Sequence, residues 1–142
     1  MNKNVEVLMV EDNRGDIVLL EEAMRKAGLS HHVNTVKNGV EAMAYLRRQG
    51  EFTGASRPDL IVLDLKLPRK NGREVLEEIR RDPELSDIRL VVLSSSKSEL
   101  ALAMADKPVA PKCMVKPSTF EGYIELVKKI EAFRQMGQEA AE

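Results

Sequence analysis

Four of the five short apolar runs in this chain stop abruptly on groups that can do chemistry. Val5–Val10 gives way to Glu11-Asp12-Asn13, Leu60–Leu63 to Asp64, Leu90–Leu93 to Ser94-Ser95, and Cys113–Val115 to Lys116-Pro117. An ionised carboxylate at the mouth of an apolar segment is costly unless it is paired, metal-bound or reaching water. Three acids gathered in one place repel, raise one another's pKa, and need a cation to coexist ionised. Hard oxygen ligands at a half-open surface favour Mg²⁺, held by one or two carboxylates together with waters and a phosphate. No His or Cys stands at these four ends, which argues against zinc. A carboxylate beside such an ion can also attack a phosphoryl group and become an aspartyl phosphate. The lysine and a hydroxyl would then stabilise the phosphoryl oxygens.

For these groups to meet, the runs must be neighbouring strands with their carboxyl ends on one edge. The intervening segments have the spacing this requires. Ile17, Leu20, Met24 and Ala27 recur at helical intervals, as do Val75, Leu76 and Ile79 ahead of Asp82-Pro83. Phe120, Ile124, Val127, Ile130 and Phe133 form the clearest stripe, and Ser118 with Glu121 reads as its capping box. Ser96 with Glu99 reads the same way for a shorter helix to about Met104. Strand and helix thus alternate five times, and the strands are apolar without in–out alternation. This predicts an α/β fold, a doubly wound parallel sheet with helices on both faces and right-handed crossovers. In such sheets ligands bind at the carboxyl ends of the strands. The second run, Val33–Val36, ends in Lys37-Asn38 and offers nothing comparable. Arg47–Pro58 is a long polar connection, and residues 137–142 are expected to be a disordered tail after a single domain over 1–136.

Composition bounds the rest. The chain has 142 residues, 43% hydrophobic and 32% charged, with a net charge of −1. No basic footprint points to nucleic acid and no extreme field to a membrane surface. Cys113 is the sole cysteine, which rules out an internal disulfide and fits a reducing compartment. The first residues are too charged for a signal peptide, and no apolar run has a membrane-spanning length. The expectation is a small cytoplasmic domain.

The set "VEDN", "LIVLDLKLPRKNG", "VVLSSS" and "VKP", in this order and spacing between Val5 and Phe133, resembles the receiver domain of two-component response regulators. The resemblance implies a flavodoxin-like five-stranded sheet in the order 2-1-3-4-5. It implies that Asp64 accepts a phosphoryl group from a sensor histidine kinase, with Mg²⁺ as cofactor. Asp12 would ligate the ion directly and Glu11 largely through water, with Asp64 and the backbone carbonyl of Lys66 as further ligands. Ser94 stands in the place of the family's switch hydroxyl, and Ser95 in that of a small residue that leaves room for the phosphoryl group. Lys116 would pair with the phosphoryl oxygens, and Lys116–Pro117 would be a cis peptide. Lys66 and Ser96 occupy places where family side chains tune dephosphorylation, although Ser96 reads first as a helix cap.

The wording of "VEDNRGDIVLLEEAM", "YLRRQGEFTGASRPDL" and "EGYIELVKKIEAF" is similar to single-domain regulators that partner phytochrome-type histidine kinases. With nothing after the last helix, output is expected through a downstream protein or a phosphotransfer partner, and a homodimer through the strand-four to helix-five face is an option. Two features depart from the family pattern. An aromatic residue usual three places before the lysine is replaced by Cys113, and the Gly common before strand five is missing from "DKPVAPKC", where Val109 and Pro111 stand. Pro111 at a strand start fits an edge strand.

Other readings compete. A Mg²⁺-dependent phosphatase with an aspartyl nucleophile would want a second acid two residues after Asp64, where Lys66 stands. A degenerate receiver acting as a scaffold would not need the intact set of acids, hydroxyl and lysine. Glu11-Asp12 also suits a helix N-terminus and Asn13 a cap. Cys113 reads as a buried small hydrophobe rather than a redox sensor, and His31-His32 open strand two away from the acids.

Overall fold

The computed structural model describes residues 5–104 and 112–141. Its elements run β1 (Val5–Val10), α1 (Arg14–Lys26), β2 (His31–Val36), α2 (Gly39–Leu46), a 3₁₀ turn at Gly50–Phe52, β3 (Leu60–Asp64) and α3 (Gly72–Arg81). There follow β4 (Arg89–Ser94), α4 (Lys97–Met104), β5 (Lys112–Val115) and α5 (Phe120–Ala141). The strands form one parallel sheet in the order β2-β1-β3-β4-β5, as expected. Val109 and Pro111 lie outside the described residues, but β5 is an edge strand. No helix among the described residues is long and apolar enough to cross a membrane.

Every residue of β3 is buried, because the sheet is covered on both faces. Leu8, Val10, Ile61, Leu63 and Val92 face one layer, against Met43 and Leu46 of α2 and Val75, Leu76 and Ile79 of α3. Val7, Met9, Leu60, Val62 and Leu93 face the other, against Leu20 and Met24 of α1 and Tyr123, Val127 and Ile130 of α5. Alternate side chains of one strand therefore feed two cores, which fixes its register against slippage.

The helix starts are set by short polar side chains. Asn13 accepts from Asp16 N–H at 3.0 Å, and Asn71 with Glu74 forms a reciprocal capping box at α3. At α5 the cap is Thr119, which accepts from Gly122 N–H at 3.0 Å, one residue beyond the expected Ser118. Helix α5 continues to Ala141, through most of the segment expected to be a disordered tail. Helix α2 is required by the fivefold alternation but marked by no stripe in the sequence: "GVEAMAYL" is short and largely apolar, and so has little polar face to reveal a period.

One loop needs a residue without a side chain. Gly72 N–H bonds Leu65 O at 3.1 Å, and a Cβ there would lie 2.3 Å from Asp64 O and 2.6 Å from Leu65 Cα. The loop after β3 thus closes directly on Asp64. Gly72→Ala is expected to cost at least about 1–3 kcal/mol, the usual range for overpacking a tight site. The check is a lower urea midpoint at an unchanged m-value.

Candidate functional site

The four strand ends do converge. Glu11 follows β1 directly, its N–H bonded to Val36 O at 3.0 Å, and its residue is 1% exposed. Asp64 is the last residue of β3 and 5% exposed. Lys116 follows β5, anchored by its N–H on Ser94 O at 2.8 Å. Its ammonium reaches Glu11 Oε1 at 2.8 Å and Asp64 Oδ2 at 3.1 Å. Asp64 Oδ1 accepts from Lys66 N–H at 3.2 Å, so both carboxylate oxygens are held. Asp12 stands exposed in the next loop position, and one carboxylate oxygen from each of Glu11, Asp12 and Asp64 lies within 4.8 Å of the others.

A fourth acid joins them. Asp16, in the first turn of α1, places Oδ2 at 2.8 Å from Lys116 Nζ, while its Oδ1 accepts from the Tyr123 hydroxyl of α5 at 3.4 Å. Sequence reading missed it. Three residues after Asn13, Asp16 looks like an ordinary first-turn acid, and its lysine lies 100 residues away.

Burial, then the neighbouring Asp64, pushes the Glu11 carboxyl up to about 7. Burial opposes the charge on Lys116, but the contacts with Asp16 and Glu11 and the field of Asp64 outweigh it, and its pKa stays above the ordinary lysine value. Burial and the charge of Asp16 raise the Tyr123 hydroxyl to about 12. Three of the four acids share one ammonium, Asp12 has no contact with it, and all of their donors are hard oxygens. An unbalanced negative cluster of this kind fits a hard divalent cation held by Glu11, Asp12 and Asp64.

The remaining expected residues separate into two groups. Ser94 is buried; its Oγ donates to Glu99 Oε2 at 3.0 Å and accepts from Ser96 N–H at 3.0 Å. Ser95 is exposed beside it. Ser96 Oγ accepts from Glu99 N–H at 3.2 Å and so caps α4. The Glu99 side chain does not return to close the expected capping box; it takes Ser94 and, at 3.3 Å, the Lys66 ammonium. Lys66 therefore touches Asp64 through its backbone alone, with its side chain 67% exposed.

The Lys116–Pro117 peptide is trans, not cis. The isomers of an X–Pro bond differ by only about 0.5–1 kcal/mol, so the surroundings decide. Here the trans bond sets the Pro117 ring against Gly122 in the first turn of α5 while Lys116 reaches the acids. Cys113 is half-buried against the α2–α3 core layer, and burial pushes its thiol up, which suits a small hydrophobe. His31 and His32 open β2 and pair with Glu131 and Glu6, away from the acids.

The response regulator receiver domain family matches residues 7–130 of the chain. Response regulator Rcp1 of Synechocystis sp. is 38% identical over 128 residues, covering 89% of this chain and 86% of that protein. The crystal structure of the phosphorylated cyanobacterial phytochrome response regulator RcpA aligns with a TM-score of 0.83 at 45% identity, over 94% of this chain and 95% of that one. The Mn²⁺-bound form of Rcp1 aligns with a TM-score of 0.78 at 36% identity, over 91% and 93%.

The raised Glu11 sets a pH dependence. The folded, metal-free site keeps a proton that the unfolded chain has lost, so its stabilising effect is complete below about 4.5 and disappears as pH rises through about 7. A divalent ion needs the deprotonated acids. The rise in unfolding temperature caused by Mg²⁺ should therefore be larger near about pH 8 than near about pH 5.5. Thermal unfolding at both values checks it, and Glu11→Gln should flatten the difference.

Proposed function

The chain belongs to the response regulator receiver family, and on that premise we propose that it is a stand-alone signalling module whose Asp64 accepts a phosphoryl group from a sensor histidine kinase. The observation that carries this reading is the fixed pairing of Asp64 Oδ2 with the Lys116 ammonium at the open edge of the sheet. Similarity to RcpA and Rcp1 over nearly their whole lengths supports the stand-alone form and a phytochrome-type kinase.

A carboxylate oxygen of Asp64 attacks the phosphorus of a phosphohistidine. The new P–O bond forms as the P–N bond breaks, and the electron pair returns to the imidazole nitrogen, which takes a proton from solvent. Glu11, Asp12, Asp64 and the backbone carbonyl of Lys66 would hold Mg²⁺, which would supply positive charge against the phosphoryl oxygens. Lys116 pairs with a phosphoryl oxygen from its anchored position, and Ser94 donates its hydroxyl to another. Ser95 carries too little side chain to block the group. Water later cleaves the acyl phosphate and restores the carboxylate.

The signal leaves by contact with a downstream protein or phosphotransfer partner, in the cytoplasm. A groove lined by Met114, Val115, Leu126, Phe133 and Met136 between β5 and α5 supports a homodimer on that side. The phosphatase reading is weaker, because the position that would need a general acid holds Lys66, whose ammonium faces Glu99.

The test is incubation with Mg²⁺ and acetyl phosphate, followed by intact-mass measurement. One acid-stable, base-labile phosphate should appear, absent in Asp64→Asn. No adduct on the wild-type protein would leave the scaffold reading, and rapid multiple turnover would favour the phosphatase.

A further inference from the structure

Glu99 lies at the meeting of three segments. Its Oε2 accepts the Ser94 hydroxyl at the end of β4, its Oε1 faces the Lys66 ammonium from the loop after β3, and its own N–H is capped by Ser96 in the first turn of α4. A carboxylate offers these donors what a phosphoryl group offers: anionic oxygens on a fixed support. We propose that Glu99 is a positioning residue that competes with the phosphoryl group on Asp64, holding the Ser94 hydroxyl and the Lys66 ammonium on itself in the unphosphorylated chain. This rests on the function proposed above and names how that site is regulated.

The competition is exclusive at Ser94. A hydroxyl has one proton to donate, so donation to a phosphoryl oxygen ends the bond to Glu99. Ser94 can still accept from Ser96 N–H as its proton turns, so the backbone need not break this contact first. Lys66 is free to move: its side chain is largely exposed, beside a recess of about 310 Å³ lined by Leu65, Lys66, Asn71, Arg73 and Glu99. Its pair with Glu99 is half in water and weak on that account, whereas the Ser94 bond is sheltered. When both donors transfer, Glu99 keeps only the Ser96 cap and the positive end of its own helix. Phosphorylation thereby changes the contacts of α4 directly, without the aromatic ring that Cys113 replaces.

Glu99→Ala should speed phosphate uptake from acetyl phosphate by roughly two- to tenfold, the span of one net hydrogen bond, and slow the decay of the adduct. Glu99→Gln, which keeps an acceptor for Ser94 but loses the charge facing Lys66, should fall between. It also serves as the working variant if the alanine form does not fold, with thermal midpoints reported for both. A merely structural role is separated by repeating the substitution in a Ser94→Ala, Lys66→Met background, where the gain should disappear. Uptake by the wild-type protein with no acceleration in the Glu99 variants overturns the inference alone. An acceleration that persists in the Ser94→Ala, Lys66→Met background also overturns it, since charge removal alone would then suffice. Failure of the wild-type chain to take up phosphate overturns the proposed function and this inference with it.

Discussion

The ammonium of Lys116, buried but for 12% of its side chain, bonds carboxylates from the ends of β1 and β3 and from the first turn of α1. Without it, Glu11 and Asp64 would be charges in a nearly dry site, a situation that breaks folds when one partner of a buried pair is lost. Much of the architecture puts this group in place. Parallel pairing of β4 with β5 brings Lys116 beside Ser94, and the backbone bond between those residues fixes the point from which the side chain extends. The two hydrophobic layers then hold β1 and β3 so firmly that their last residues have little choice of position.

The site is nonetheless built in two halves of unlike character. On one side three acids bond a single ammonium with Asp12 close by, which leaves negative charge in excess, and burial together with the neighbouring Asp64 raises Glu11. On the other, Ser94, Lys66 and Glu99 satisfy one another. Asp64 joins the halves, taking Lys116 with one oxygen and the backbone N–H of Lys66 with the other. Asp64 is thereby linked through Lys116 to Asp16 and Tyr123, on α1 and α5, and through Lys66 to Glu99 and Ser94, beside α4.

The strands and the order of their terminal groups could be read from the chain because burial on both faces leaves unbroken apolar runs, and polar residues then mark the ends. Asp64, Glu11 and Lys116 declared themselves as charges placed where charges are costly. What stayed hidden had a credible local explanation. Asp16 and Glu99 each sit three residues after a capping side chain, where an acid is favoured by its own helix, so nothing local hints at a distant partner. Helix α2 lacked a polar face to set its period against. The Lys116–Pro117 bond is trans where the resemblance implied cis, since the two isomers differ too little for residue types to decide, and the cap of α5 is Thr119 in place of Ser118, a one-residue ambiguity that spacing cannot resolve.

Strand β5 carries a consequence for assembly. It is four residues long, is paired among the described residues with β4 alone, begins on an exposed Lys112, and has a proline, with no N–H to give, two residues past its end. Such a short, charged and interrupted edge is a poor template for another chain's backbone. Any association on this side would accordingly rest on side-chain fit and not on extension of the sheet, without the hazard of open-ended strand addition.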